Sequence, residues 1–347
     1  MSNRLLSCLL VLVLLVTGCA SQQPTSTAPV PEQPPTAPVA LPLKLVVFPF
    51  VSHAPFHIAL AEGYFAEQSL DVETVAFQFT TDAFPALVQG QVDVMAGLTT
   101  SGLINAIAGG VNLKIVADKG HISETGCDGY AVVARSKLLE DGTLTDVASL
   151  RGMHIQSELA DLLGFLTEKL LRTGNLTLDD VQVERLIPPM WPEAMREGTI
   201  DVHFGVTEPW ITRIVEPGYG QLWNSYGEYA PGQQFSVVMF GPSLLGENRE
   251  VGKRFMVAFL RGVRQYNEGK TDRNLDILTE ALGLERQELE QCCWVSINGD
   301  GQVDLDTLLD FQDWAVEKGY VDTPIIADQL YDSSFIEYAN QVLGPAE

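Results

Sequence analysis

Short apolar runs alternate with stretches of helical periodicity from Leu43 onward. Residues 45–48 form a continuous apolar run of strand length, and Ser52 begins a helical stretch that ends at Gly63. The same pattern predicts strands at 72–79, 92–96 and 111–117, with helices at 82–89 and 100–108 between them. Strands that alternate with crossover helices indicate a parallel α/β sheet with both faces covered.

The next part of the chain repeats this scheme. It predicts strands at 153–156, 181–187 and 200–204, with helices at 158–172 and 192–197. Gln-Gly-Gln-Val-Asp-Val at 89–94 is echoed by Glu-Gly-Thr-Ile-Asp-Val at 197–202, at equivalent points of the two units. An echo at equivalent points predicts two similar lobes.

After an apolar run at 235–240 the pattern is mostly helical, at 247–267, 274–282, 285–292, 304–318 and 328–343. We expect these helices to complete the first lobe, so that the chain crosses between lobes near 131–134 and near 234–237. The predicted first lobe therefore comprises 43–133 and 237–347, and the second comprises 134–236. A ligand would lie in the cleft between the lobes, at the carboxyl ends of strands.

The amino-terminal segment predicts export. Residues 5–16 form an apolar run too short to span a bilayer, and Val16-Thr17-Gly18-Cys19 resembles the bacterial lipobox. By that resemblance 1–18 is a lipoprotein signal peptide, and lipid on Cys19 anchors the chain at the extracytoplasmic face of the cell membrane. Residues 19–42 contain seven prolines and a single charge, which predicts an extended tether.

Composition narrows the class of partner. The net charge of −24 disfavours nucleic acid and anionic lipid surfaces, and 46% apolar residues are typical of a globular protein. Cys127, Cys292 and Cys293 show no spacing typical of a zinc site, so we expect core positions for all three, with a disulfide at Cys127 left open.

Several segments resemble a known family. They are Ser52-His53-Ala54-Pro55-Phe56, Glu62-Gly63-Tyr64-Phe65, the Gly90 to Val94 segment, Ser149-Leu150-Arg151-Gly152 and Glu208-Pro209-Trp210. Together they resemble the nitrate, sulfonate, taurine and thiamine-pyrimidine group of type II periplasmic binding proteins. The resemblance covers about 43–260 and implies an α/β fold of two doubly wound lobes joined by a hinge, with the ligand between them.

What the resemblance implies is the substrate-binding subunit of an ABC importer. Its partners would be a permease and a cytoplasmic ATPase, since this chain has no phosphate-binding G-x-x-x-x-G-K-[ST] segment. A related branch contains pyrimidine-synthase enzymes that use a Lys and a His after the Val-Asp strand. Residues 94–102 contain neither, so we expect a binding protein rather than an enzyme, without a cofactor.

The predicted cleft loops supply aromatic and hydroxyl side chains but no arginine. The candidate ligand-binding residues are Phe50, His53, Phe79, Thr80, Thr99, Thr100, Ser101, Tyr130, Ser157, Trp191, Glu208 and Trp210. Aromatic walls with neutral donors and acceptors favour a planar heterocycle, and sulfonate or nitrate would normally need guanidinium groups or helix amino ends. Riboflavin is the first choice, and it matches a looser resemblance to the family's riboflavin-binding lipoproteins.

Alternatives remain open for the ligand and for single residues. A thiamine-precursor pyrimidine follows riboflavin closely, because Pro49 and His53 resemble that subgroup's opening motif. A sulfonate or nitrate is the third choice. Thr100 and Ser157 could be helix caps, Glu208 could cap the next helix, and residues 296–304 indicate a turn before a helix rather than a calcium loop. His53 and His57 lack a third ligand, so no metal site is predicted.

Overall fold

The computed structural model describes residues 40–77, 80–123 and 129–346, without the side chains of Thr80 and Thr81. The predicted signal peptide, Cys19, nearly all of the tether, Phe79 and Cys127 lie outside these residues. The strands are β1 Leu41–Val46, β2 Leu70–Val75, β3 Val94–Leu98, β4 Lys114–His121, β5 Tyr130–Arg135, β6 His154–Gln156, β7 Gln182–Glu184, β8 Val202–Thr207, β9 Gly220–Asn224 and β10 Gln234–Phe240.

Sixteen α-helices are described in the same ranges. They are α1 Ala54–Ala61, α2 Tyr64–Glu67, α3 Thr80–Val88, α4 Ser101–Ala108, α5 Ser136–Glu140, α6 Leu162–Thr173, α7 Trp191–Glu197, α8 Trp210–Val215, α9 Tyr226–Tyr229, α10 Pro242–Leu245, α11 Arg249–Asn267, α12 Asp272–Leu282, α13 Arg286–Gln291, α14 Leu305–Glu317, α15 Ala327–Leu330 and α16 Ser334–Leu343. Among the described residues, no helix is both long and apolar enough to cross a bilayer.

The strands form two five-stranded sheets with the same plan. The first has the order β2-β1-β3-β10-β4 and the second the order β7-β6-β8-β5-β9. In the first sheet β10 runs antiparallel to β3 and β4, and in the second β5 runs antiparallel to β8 and β9. The α/β fold of two lobes is therefore confirmed, and the expectation of purely parallel sheets was wrong.

The antiparallel strands are those by which the chain enters a sheet from the other lobe. β5 belongs to the second sheet and β10 to the first, so the boundaries expected at 133/134 and 236/237 both fall inside strands. The crossings come earlier, before Tyr130 and before Gln234. Two hydrogen bonds join them, since Ile122 N donates to Gln233 O at 2.9 Å and Gly232 N donates to Ile122 O at 3.1 Å. This pairing joins the two connections into one hinge.

The repeated segments at 89–94 and 197–202 have the same role in both lobes. Gly90 and Gly198 follow α3 and α7 with φ of +68° and +82°, a region that favours glycine. Asp93 Oδ2 then accepts from Lys44 N in β1 at 2.8 Å, and Asp201 Oδ2 accepts from His154 N in β6 at 3.1 Å. Each aspartate therefore holds the start of its strand, β3 or β8, against the neighbouring parallel strand, β1 or β6.

The carboxyl-terminal helices pack mainly on the first lobe. α11 contacts α1, α2 and α16, and α16 also contacts β4. α14 touches both α4 of the first lobe and α6 of the second. There Glu168, whose side chain is 1% exposed, pairs with Lys318 at 2.7 Å and Arg172 at 2.9 Å. This seam is a second contact between the lobes besides the hinge.

Several predicted boundaries differ from the structure. The predicted strand at 72–79 is β2, which ends at Val75, and the predicted helix at 158–172 begins only at Leu162 because Asp161 caps it through Leu163 N and Gly164 N. The predicted helix at 328–343 is two helices, α15 and α16. Asp304 caps α14 through Thr307 N, in agreement with a turn before a helix.

The cysteines differ from one another. Cys292 is buried, as expected for a core residue, and burial raises the pKa of its thiol to about 12. Cys293 is only half-buried and forms a disulfide, so a plain core position was wrong for it.

Candidate functional site

A cleft between the two sheets is the candidate site. It contains about 880 Å³ of space free of protein atoms, a volume that includes open solvent. Its residues come from both lobes: Phe48, Phe50, Ser52, His53, Gly97, Leu98, Lys119, Phe235 and Ser236 from the first, and Tyr130, Gln156, Glu158, Asp161, Leu163, Pro188, Trp191, His203, Phe204, Gly205 and Thr207 from the second.

The first-lobe wall combines aromatic rings with a neutral histidine. The rings of Phe48 and Phe50 are stacked with centroids 6.1 Å apart, and His53 stands edge-on to Phe48 at 5.3 Å. His53 Nδ1 accepts from Phe48 N at 3.5 Å, which leaves Nε2 to carry the proton. Burial lowers the pKa of His53 well below its usual value, so the ring is a neutral donor.

Lys119 is the cation of this wall. Its Nζ donates to Ser52 Oγ at 3.0 Å, and the residue is 3% exposed. Burial lowers the pKa of the Lys119 ammonium to about 7, although the nearby Asp118 carboxylate opposes that shift. Lys119 is therefore only partly charged at neutral pH and is a weaker anion site than an exposed lysine.

Asp118 stabilises the hinge rather than the cleft. Its carboxylate accepts from Gly120 N at 2.6 Å, Gln234 Nε2 at 2.6 Å and Asn298 N at 2.7 Å, and it pairs with His121 at 3.1 Å. These partners belong to β4, β10 and the segment before α14. A fully buried carboxylate is tolerated here because it is surrounded by donors.

The second-lobe wall is formed by Trp191 and His203. Trp191 is 8% exposed and its Nε1 donates to Leu186 O at 2.8 Å, which fixes the ring. His203 stands edge-on to Trp191 with centroids 4.3 Å apart, and Trp210 packs edge-on to Trp191 at 6.0 Å. Burial lowers the pKa of His203 to about 3, so this imidazole is neutral as well.

Two acidic residues face the cleft from the second lobe. Glu158 pairs with Arg185 at 2.9 Å, and burial nevertheless raises the pKa of the Glu158 carboxyl. Burial also raises the pKa of Asp161 to about 7, an effect that the neighbouring Glu158 strengthens. In the described lining of the cleft these two carboxyls accompany one partly charged lysine, so that lining has no excess of positive charge.

The lobes also touch directly beside the cleft. Ser101 N donates to Ala160 O at 2.9 Å, and Leu162 N donates to Thr99 O at 3.0 Å. These bonds form an antiparallel bridge between Thr100 and Asp161. The structure is thus a closed one, in which the start of α4 is hydrogen-bonded to the start of α6.

The predicted site residues separate into three groups. Phe50, His53, Tyr130 and Trp191 line the cleft. Thr99, Thr100 and Ser101 lie at the interlobe bridge, and Thr100 caps α4 by accepting from Leu103 N. The third group lies behind the wall: Ser157 bonds Thr167 at 2.8 Å, Glu208 accepts from Thr212 N at 3.2 Å, and Trp210 supports Trp191. Phe79 and the Thr80 side chain lie outside what is described.

Sequence reasoning missed Phe48, Lys119, Glu158, Asp161 and His203 as cleft residues. None of these charged or imidazole side chains was among the candidates, most of which were chosen for aromatic rings or hydroxyl groups. A lysine just beyond the predicted strand at 111–117 and a histidine inside the predicted strand at 200–204 were the available signals. Within the described residues, no three His, Cys, Asp or Glu side chains are grouped as a metal site.

Comparisons with known proteins agree with this geometry. A model of the NMT1-like family matches residues 36–274. The chain belongs to the NMT1-like family. The riboflavin-binding protein RibY of Chloroflexus aurantiacus is 23% identical over 365 residues, which covers 97% of this chain and 98% of that protein. The resemblance to the periplasmic binding protein family is thereby confirmed at the level of family and fold.

Two solved structures show the fold. The nitrate-binding protein NrtA of Synechocystis PCC 6803 superposes with a TM-score of 0.73 at 16% identity, covering 90% of this chain and 91% of that one. A ligand-binding component of an ABC-type import system from Staphylococcus aureus, with zinc bound, gives 0.71 at 18% identity, covering 86% and 99%.

Proposed function

We propose that this protein is the substrate-binding subunit of an ABC importer and that it captures riboflavin in the cleft between its lobes. It binds its ligand without converting it and passes it to a permease driven by a cytoplasmic ATPase. The family and the two-lobed fold support the importer role. The relative RibY, named as riboflavin-binding and aligned over nearly the whole chain, supports the ligand.

One observation carries the choice of ligand: the cleft is walled by aromatic rings and has no excess of positive charge. Phe48, Phe50 and Trp191 provide flat apolar surfaces on the two sides. Planar rings gain both apolar burial and stacking energy against such walls. An isoalloxazine ring also carries N–H and C=O groups that can pair with the polar side chains at the base of the cleft.

The same observation disfavours a sulfonate or nitrate. A nitrate or sulfonate group offers acceptors only, and the Glu158 and Asp161 carboxyls on the second-lobe wall would repel it whenever they are ionised. Lys119 would have to be fully protonated to hold the anion, and burial opposes that protonation. No arginine is among the described residues that line the cleft, so these residues lack the bidentate partner that oxyanions favour.

Membrane anchoring through Cys19 is the second part of this proposal. The lipobox resemblance and the proline-rich tether support a body held outside the cytoplasmic membrane. Labelling cells with a palmitate analogue should mark the wild-type protein and leave the Cys19→Ala variant unmarked. If both are unlabelled and released after cleavage, the protein is exported without a lipid anchor.

A titration tests the choice of ligand. The tryptophan fluorescence of the purified Cys19→Ala protein is measured while riboflavin, an aminopyrimidine, taurine or nitrate is added, each in the same buffer. We expect saturable quenching by riboflavin at micromolar concentration or below, and no response to taurine or nitrate. A response to the aminopyrimidine alone would replace riboflavin with a thiamine precursor, and a response to an anion alone would reject the neutral-ligand proposal.

A further inference from the structure

His203 is a buried acceptor for which the described residues provide no partner. It lies in β8, it is 1% exposed, and its ring lines the cleft. Nδ1 lies 3.0 Å from Phe204 O, and because a carbonyl oxygen only accepts, Nδ1 carries the proton. Nε2 is therefore the acceptor, and no hydrogen-bond donor within the described part of the chain reaches it.

The side chains around His203 leave that acceptor unpaired. The indole N–H of Trp191, which packs edge-on to the imidazole, is already donated to Leu186 O. Among the other polar residues of this wall, Glu158 and Asp161 are acceptors when ionised, and the Thr207 hydroxyl is already donated to Gly129 O. Leaving a buried acceptor unpaired is costly, so a donor from the ligand would be strongly favoured at this position.

Gln156 provides a donor next to this acceptor. Gln156 and His203 are register partners in β6 and β8 and both line the cleft. The amide oxygen of Gln156 accepts from Leu186 N at 2.8 Å, which leaves its –NH₂ group as the donor. The base of the second-lobe wall thus has a donor and an acceptor on adjacent strands.

We propose that His203 and Gln156 together recognise a ligand edge on which an N–H lies next to a C=O, the imide edge of riboflavin. His203 Nε2 would accept from the imide N–H, and Gln156 would donate to an adjacent carbonyl oxygen. This inference rests on the proposed function and adds to it which edge of the ligand the protein recognises. Nitrate and sulfonate have no such edge, because they carry no N–H.

The test combines one ligand change with one residue change. 3-Methylriboflavin lacks the imide N–H, and His203→Phe keeps a flat ring but lacks the acceptor. We expect the wild type to bind riboflavin at least tenfold more tightly than 3-methylriboflavin. We expect His203→Phe to bind riboflavin about tenfold more weakly and to lose most of the preference between the two ligands.

Two further variants separate recognition from folding. His154→Phe changes a half-exposed histidine of the same lobe and should leave both affinities unchanged. His203→Asn retains an acceptor oxygen and should keep part of the preference if His203→Phe fails to fold. Thermal melting and circular dichroism identify folded variants before titration.

The outcomes distinguish this inference from the proposed function. If the wild type binds both flavins equally, or a folded His203→Phe binds riboflavin like the wild type, the role of His203 is overturned while riboflavin remains the ligand. If the wild type does not bind riboflavin at all, the proposed function fails and this inference fails with it.

Discussion

The two lobes share a scaffold but not a binding surface. In each sheet an antiparallel strand pairs with the strand that follows the repeated segment, β3 or β8. In each, an aspartate three residues after a glycine holds the start of that strand to its parallel neighbour. Their cleft walls differ: the first lobe contributes Lys119 and the neutral donor His53, and the second contributes His203 and two carboxyls. The repeated segments at 89–94 and 197–202 serve strand pairing, which is the same in both lobes. Ligand recognition instead requires two walls of complementary chemistry.

Two buried aspartates, one in the scaffold and one at the cleft, show the contrast between scaffold and binding surface most strongly. Asp118 of the first lobe is surrounded by four donors, so Asp118→Asn should destabilise the fold by about 3 kcal/mol, because an –NH₂ group would face donors. Urea unfolding at pH 7 measures this loss. A loss below about 0.5 kcal/mol would show that the donors find other partners.

Replacing Asp161 of the second lobe should stabilise the fold, the opposite of the effect expected at Asp118. Its folded-state pKa of about 7 lies above its usual 3.8, so the wild type loses stability as pH rises from about 4 to 7. Asn caps a helix as well as Asp, so Asp161→Asn should be more stable than the wild type at pH 8, on the order of 2–4 kcal/mol. Unfolding at pH 8 and pH 4.5 measures the difference, which should fall to about 1 kcal/mol at the lower pH. Equal stability of the wild type and Asp161→Asn at both pH values would contradict the raised pKa of Asp161.

Trp191 tests the aromatic contribution of the second lobe. Trp191→Ala should weaken riboflavin binding 10- to 100-fold, about 1.4–2.8 kcal/mol, because it removes a fixed stacking surface. Trp223→Ala is the matched control, since Trp223 lies in β9, packs against the core and is outside the cleft lining. Calorimetric titration avoids reliance on tryptophan fluorescence. Equal losses in the two variants would indicate a general effect on folding.

The repeated aspartates should differ in a graded way. Asp93→Ala and Asp201→Ala each remove a carboxylate that accepts a backbone N–H, and each should cost about 1–2 kcal/mol. Asp201 also pairs with Arg135 at 2.7 Å, so its replacement should cost about 1 kcal/mol more. Thermal unfolding of both variants measures the difference. A larger loss for Asp93→Ala would contradict the equivalence of the two positions.

Salt should have the smallest effect. A neutral ligand makes no long-range charge interaction, so raising NaCl from about 50 to 500 mM should change the riboflavin Kd less than twofold. Titrations at the two salt concentrations measure it. A tenfold weakening would indicate that Lys119 binds an anionic group of the ligand.

Much of the scaffold could be predicted from the sequence because it follows from local patterns. The alternation of strands and helices, the echo at Asp93 and Asp201 and the return of the carboxyl-terminal helices all appear in the structure. The direction of β5 and β10 could not be predicted, since an apolar strand does not show which sheet it joins. The end of β2 at Val75 was equally hidden, because the apolar pattern continues beyond it.

The site was predictable only in part, and for a physical reason. Aromatic residues on cleft loops stand out in a sequence, and Phe50 and Trp191 line the cleft. Lys119, Asp161 and His203 acquire their character from burial, which depends on contacts between distant segments. Trp210 shows the converse, since it carries a conspicuous ring yet packs behind Trp191.

The crystal structure of the protein grown with riboflavin would test the central claim most directly. We predict the isoalloxazine ring between Trp191 and the Phe48–Phe50 pair, with its imide edge toward His203 and Gln156. Riboflavin outside the cleft, or an empty cleft at saturating riboflavin, would contradict the account.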